Sequence, residues 1–96
     1  MQALMMADEL MQFIADGEKL RTIRKGVRTM TLGPCKIVSQ SGELPELEVE
    51  IEYYTVVVLG LWMEMVGESE DFLESLQVHY PDMTEEHTIT VIGWAP

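Results

Sequence analysis

Apolar and polar residues alternate strictly from Glu46 to Tyr53, and a period of two residues is typical of a strand with one buried face. An unbroken apolar run from Tyr54 to Leu59 continues this strand into the core, and Gly60 is expected to bend the chain. A second alternating stretch, Thr88 to Trp94, predicts the final strand. The residues expected in the core are Leu47, Val49, Ile51 and Tyr53, and those expected in solvent are Glu46, Glu48, Glu50 and Glu52.

Two other segments have the pattern of helices. Residues 2–16 repeat apolar side chains at the i, i+3, i+4, i+7 spacing of a helical stripe, and Gly17 stands where a left-handed cap ends the helix. Ser69 to His79 predicts a short second helix with Ser69 as its N-cap. Three more strands are predicted between the helices, over Lys19 to Arg24, Val27 to Leu32 and Cys35 to Val38. This order of elements indicates an α+β fold, for which a small barrel is the natural closure.

Length and composition narrow the class of protein. The 96 residues fit one domain over 1–96, and the single cysteine, Cys35, excludes an internal disulfide and is expected to be a buried structural thiol. The longest apolar run, Val56 to Met63, is too short for a membrane span. Asp8 and Glu9 interrupt the N-terminal segment, which therefore does not resemble a signal peptide. We expect a cytoplasmic protein without a membrane partner.

The charges are unevenly distributed along the chain. With 6 Lys+Arg against 17 Asp+Glu, the formal charge is −11, which argues against non-specific coating of nucleic acid. However, no acid occurs between residues 19 and 42, so one region is expected to be cationic. From composition alone, an anion or nucleic-acid site and a solvated loop that offsets the acidic remainder are equally good interpretations. The six basic residues are Lys19, Arg21, Arg24, Lys25, Arg28 and Lys36.

Common catalytic motifs are missing from the sequence. It contains no Gly-x-Ser-x-Gly elbow, no phosphate-binding glycine loop and no His-Glu-x-x-His. His79 and His87 stand apart from each other, and one thiol is too few for a structural zinc site. We therefore predict neither a metal nor another cofactor.

A set of ordered motifs favours the functional interpretation of the basic segment. Residues Gly17-Glu18-Lys19-Leu20-Arg21-Thr22-Ile23-Arg24 resemble the Gly-x-Lys-x-x-Thr-x-Arg signature of ASCH (activating signal cointegrator homology) domains, which belong to the PUA-like superfamily. Gly33 to Val38 resembles the family's Gly-Asp-x-x-x-Val strand, with Pro34 in place of the aspartate. His79-Tyr80-Pro81 and Thr90 to Trp94 resemble its Tyr-Pro motif and final strand. The resemblance implies a PUA-like β-barrel of five to six strands with two flanking helices.

The resemblance also implies a chemistry. Some small bacterial ASCH proteins are amidohydrolases that deacetylate acetylcytidine with a Lys, a Thr and a Glu. The first two correspond to Lys19 as base and Thr22 as nucleophile. An ungapped count places the Glu at Met65, so a small gap is needed to reach Glu64, the preferred acid, or Glu68. Because a straight strand would separate Lys19 from Thr22, Lys19 must lie in the turn before the strand.

The sequence therefore predicts an amidohydrolase acting on RNA-derived modified nucleosides, with Lys19, Thr22 and Glu64 as its catalytic set. The alternative is a non-catalytic PUA-like module that binds RNA or a nucleotide. A third, weaker interpretation is a protein-interaction domain that works through its acidic surface. The expected partner is a modified nucleoside or a short RNA. The residues expected to bind it are Arg21, Arg24, Lys25, Arg28 and Tyr80.

Overall fold

The computed structural model describes residues 1–95, which form five strands and three helices. One sheet contains all five strands in the order β1-β3-β4-β5-β2. None of the helices in this part of the chain has the length and apolar character needed to cross a membrane. The elements are β1 (Gln2–Met6), α1 (Asp8–Ala15), β2 (Arg21–Lys25), β3 (Gly33–Ser39), β4 (Leu47–Val58), α2 (Leu59–Val66), α3 (Glu70–His79) and β5 (Thr88–Trp94).

The chain divides into two compact units, each with a hydrophobic core of its own. The first unit comprises Met1–Thr22, Thr29–Tyr54 and the residues from Ile92 onward, and the second comprises Ile23–Arg28 and Thr55–Val91. The first core contains Leu4, Met6, Met11, Ile14, Cys35, Ile37, Ile51, Ile92 and Trp94. The second contains Leu59, Trp62, Met63, Met83, Ile89 and Val91.

The prediction of a helix over residues 2–16 is wrong for its first part. Gln2–Met6 is a strand that pairs in parallel with β3, with Gln2 opposite Cys35 and Met6 opposite Ser39. Leu4 and Met6 are buried while Met5 is 59 % exposed, which is the two-residue period of a strand. A short apolar run fits either period, and the parallel partner decides in favour of the strand. The helix is confined to Asp8–Ala15.

The predicted register of β4 is confirmed at its buried positions, with one exception. Ile51 is 2 % exposed, and Leu47 and Val49 are half-buried against the first core. The glutamates face solvent, and Lys36 of β3 pairs with Glu46 across the sheet at 3.4 Å. Tyr53, expected in the core, is 44 % exposed.

In the second unit, the apolar run does not end in a bend at Gly60. A helix that the sequence did not predict, α2, begins at Leu59 instead. The first backbone N–H groups of a helix have no partner inside the helix. In α2, two of them donate to carbonyl groups of the loop that precedes β5. Leu59 N–H donates to the His87 carbonyl at 2.9 Å, and Gly60 N–H donates to the Glu85 carbonyl at 2.8 Å. The α+β class is confirmed, and the number of strands, five, agrees with the expected five to six, although β1 was predicted as part of a helix. The described residues form three helices where two were expected.

The helix predicted from Ser69 is confirmed as α3, and the final strand is confirmed as β5. Every residue of β5 from Ile89 to Trp94 is buried, so both faces of this strand are covered. The strand predicted over Val27 to Leu32 is absent from the structure. There, side chains replace strand partners: Arg28 N–H donates to the Thr90 hydroxyl in the second unit, and Thr31 N–H donates to the Gln2 side chain in the first.

Candidate catalytic and nucleic-acid-binding residues

Lys19 lies in the turn before β2, as the proposed chemistry requires. Gly17 reverses the chain with a φ of +77°, a conformation that glycine adopts without steric cost. Lys19 N–H then donates to the Phe13 carbonyl at 3.0 Å, and the Lys19 carbonyl accepts the indole N–H of Trp94 at 3.1 Å. The backbone of Lys19 is therefore fixed from both sides before the strand begins at Arg21.

Thr22 occupies the second position of β2, in the first unit with Lys19. Thr22 is buried, with 7 % of its surface exposed, whereas Lys19 is half-buried. Arg21, between them in sequence, is exposed.

In the second unit, the guanidinium of Arg24 is held by Tyr80. The Arg24 side chain donates a hydrogen bond to the Tyr80 hydroxyl at the C-terminus of α3. Burial lowers the pKa of Arg24, the Tyr80 oxygen opposes this shift, and the nearby positive charge of Arg28 adds to it. Two guanidinium groups are thus close enough to repel each other, with an aromatic ring beside one of them.

Lys25 and the backbone of Arg28 are held by residues that the sequence analysis did not single out. The Lys25 ammonium lies 2.6 Å from the Asp82 carboxylate and holds the pKa of that carboxyl below its usual value. The buried Thr90 hydroxyl donates to the Gly26 carbonyl and accepts the Arg28 N–H, both at 2.8 Å. Thr90 therefore fastens the turn that carries Lys25 and Arg28 to β5. No local sequence signal marks these two long-range partners.

The two candidate carboxylates both lie in the second unit. Glu64 is exposed on α2, and Glu68 is half-buried after Gly67, whose φ of +76° ends that helix. Both line one surface pocket. Met65, at the ungapped family position, is 71 % exposed.

The other candidate groups have structural roles. Cys35 is fully buried, as predicted, and burial raises the pKa of its thiol. The Nδ1 atom of His87 accepts the N–H of Thr84 at 2.9 Å. Within residues 1–95, no three His, Cys, Asp or Glu side chains are grouped so as to hold a metal ion.

Comparison of the sequence with models of known protein families and with curated proteins gave no match in either case. The resemblance to ASCH domains therefore depends on the ordered motifs alone.

Proposed function

We propose that this chain binds an RNA-derived nucleotide or a short single-stranded RNA through the cationic cluster of the second unit, Arg24, Lys25, Arg28 and Tyr80. The observation that carries the proposal is the Arg24–Tyr80 hydrogen bond with the charge of Arg28 beside it. A folded chain gains little by placing two guanidinium groups close together, because they repel. A phosphate or another anion between them removes that repulsion.

The composition of the cluster suits RNA better than a simple anion. Guanidinium groups form paired hydrogen bonds with phosphate oxygens, and an aromatic ring offers a surface on which an unpaired base stacks. With a net charge of −11, the chain is not suited to bind a long duplex, so the contact is expected to cover only a few nucleotides.

The test is binding of a fluorescein-labelled RNA pentamer, followed by anisotropy over a range of salt concentrations. Wild-type affinity should fall as salt rises, and Arg28→Ala and Arg24→Ala should each weaken it. Lys36→Ala removes the same charge from the first unit and should have a smaller effect. Affinity that does not depend on salt, or an equal loss in Lys36→Ala, would rule out the cluster as the binding site.

A second candidate function is deacetylation of acetylcytidine, and the position of Lys19 in the turn before β2 favours it. In this proposal, the Thr22 hydroxyl attacks the acetyl carbonyl and gives its proton to the Lys19 amine. The C–N bond breaks as the Lys19 ammonium returns the proton to the departing cytidine amine, and water then releases acetate from the Thr22 ester. A hydroxyl is a weak nucleophile without such a base, which explains the pairing of Lys with Thr.

Turnover of acetylcytidine by wild type, Thr22→Ala, Glu64→Gln and Glu68→Gln separates the two functions. If the chain is an amidohydrolase, Thr22→Ala should abolish acetate release and retain nucleoside binding. Loss of activity in Glu68→Gln but not in Glu64→Gln would match the family's glutamate to Glu68 rather than to Glu64. If wild type binds RNA but does not turn over acetylcytidine, RNA binding is the only one of the two functions that is supported.

A further inference from the structure

In the second unit, α2 presents an apolar face to solvent. Leu61 and Met65 lie four residues apart and therefore on one side of the helix, and they are 53 % and 71 % exposed. The opposite side, with Leu59, Trp62 and Met63, is buried in the second core. A helix that is apolar on both sides is usually covered on both, so the outward face is an unusual surface for an exposed helix.

A surface pocket of about 610 Å³ adjoins this face at Leu61. The pocket is lined by the apolar residues Leu61 and Met63 and by glutamates from α2, the segment after it, α3 and the loop before β5. No lysine or arginine is among its lining residues. The carboxylates belong to Glu64, Glu68, Glu70 and Glu85.

The floor of the pocket is held by close backbone contacts. Gly60 N–H donates to the Glu85 carbonyl at 2.8 Å, and a Cβ at Gly60 would lie 3.2 Å from both the Cβ and the carbonyl oxygen of Glu85. A larger residue at position 60 would require the 84–87 loop to move by a few tenths of an ångström. The apolar and acidic walls are therefore held in place before any partner arrives, which lowers the entropy that binding would lose.

We propose that this pocket and the adjoining face of α2 dock a segment of a partner protein in which large apolar side chains are flanked by lysines or arginines. The apolar side chains would cover Leu61, and the flanking cations would meet the glutamates of the rim. Charge complementarity favours this occupant, because four carboxylates attract flanking cations, repel an acidic segment and give a neutral apolar segment no electrostatic gain. A second copy of this chain is a poorer occupant, since each copy carries a charge of −11. The proposal is independent of the RNA site, which attracts anions.

The experiment titrates the full chain into two short fluorescein-labelled peptides. One alternates lysine pairs with leucines, and the other has serine in place of each leucine. Leu61→Ser removes the exposed apolar contact, and Glu70→Gln together with Glu85→Gln removes two charges of the rim. Glu74→Gln is the matched control, because Glu74 is exposed on α3 and does not line the pocket.

We expect the leucine peptide to bind more tightly than the serine peptide, with an affinity that falls as salt rises. Leu61→Ser should weaken only the leucine peptide, and the double glutamine variant should weaken both, by about twofold to fivefold for each charge removed. RNA binding should be unchanged in Leu61→Ser. Equal affinity for the two peptides, or an equal loss in Glu74→Gln, would overturn the proposal. Self-association of the wild type that Leu61→Ser abolishes would assign the face to a second copy instead.

Discussion

The aromatic ring of Tyr53 lies directly over Gly93, on the neighbouring strand of the first unit. A Cβ at Gly93 would be 2.1 Å from Cε1 and 2.2 Å from Cζ of Tyr53, well inside van der Waals contact. Gly93 is itself buried on β5. The missing side chain of Gly93 thus makes the space that the ring occupies, which explains why Tyr53 covers the sheet without entering the core.

Gly93→Ala should therefore destabilise the fold. The new methyl group requires the ring or the strand to move, and such overpacking typically lowers the free energy of unfolding by about 1–3 kcal/mol. Urea denaturation measures this loss. In a Tyr53→Ala background the same change should cost much less, because the ring is gone. Equal losses in the two backgrounds would contradict the assigned contact.

Ile51→Ala should lower the free energy of unfolding by about 2–5 kcal/mol, as expected when a large side chain is removed from a packed core. Ile51 is 2 % exposed and belongs to the first core. The neighbouring change Glu52→Ala, on the solvent face of the same strand, is the control and should have a small effect. A larger loss in Glu52→Ala than in Ile51→Ala would contradict the observed register.

The sequence predicted the first half of β4 well because Glu48, Glu50 and Glu52 occupy its solvent face, so the period of two is unambiguous there. It predicted residues 2–6 poorly because Leu4, Met5 and Met6 form a continuous apolar run that fits a helix or a strand. What decides between them is the parallel partner β3, which begins about thirty residues later at Gly33. Non-local pairing of this kind leaves no local signal.

The same distinction applies to the candidate site. The glycine turn before β2 was predictable, because Gly17 is a local signal for a left-handed conformation, and its place ahead of Lys19 is confirmed. The partners of the cationic segment were not predictable. Asp82 pairs with Lys25, and Thr90 fastens Gly26 and Arg28, across more than fifty positions of sequence. Both depend on how the second unit packs.

The pH dependence of stability should show a contribution from Asp8. Hydrogen bonds from the Ser41 hydroxyl and from the Ser41 N–H, at 3.1 Å, hold the pKa of Asp8 below its ordinary value of 3.8. When the pKa of a carboxyl is lower in the folded chain than in the unfolded chain, its ionisation stabilises the fold. This stabilisation is complete at pH values above the unfolded pKa, and it is lost as the pH falls through the folded pKa.

Asp8→Asn should therefore be less stable than wild type at neutral pH. This difference in stability should shrink once the pH falls below the ordinary pKa of an aspartate side chain. Urea midpoints of both proteins from pH 7 to about pH 2 measure it. Glu9→Gln, which removes the same charge from the same helical turn, is the control. A difference between Asp8→Asn and wild type that stays constant with pH would show that the Ser41 bonds do not depend on ionisation.

Asp82→Asn should strengthen RNA binding rather than weaken it. In the folded chain, Asp82 neutralises Lys25 at 2.6 Å, although the Asp82 side chain is 73 % exposed. An exposed pair of this kind contributes little to stability, so the substitution should leave the fold intact. It releases one cation of the cluster to a phosphate. The affinity for the RNA pentamer should rise about twofold to fivefold, the range expected for one exposed charge interaction.

The salt dependence and a double variant show whether Lys25 carries this gain. One more neutralised phosphate should steepen the slope of log affinity against log salt by about 0.7 for a single strand. In a Lys25→Ala background, Asp82→Asn should raise the RNA affinity only slightly, because it then removes only the general repulsion between the carboxylate and the RNA. Glu74→Gln, which removes a carboxylate elsewhere, measures the size of that general effect. If Asp82→Asn raises the RNA affinity just as much without Lys25, then the Asp82 carboxylate acts by general repulsion of the RNA. Weaker RNA binding in Asp82→Asn would mean that the ion pair orients Lys25 toward the ligand instead of withholding it.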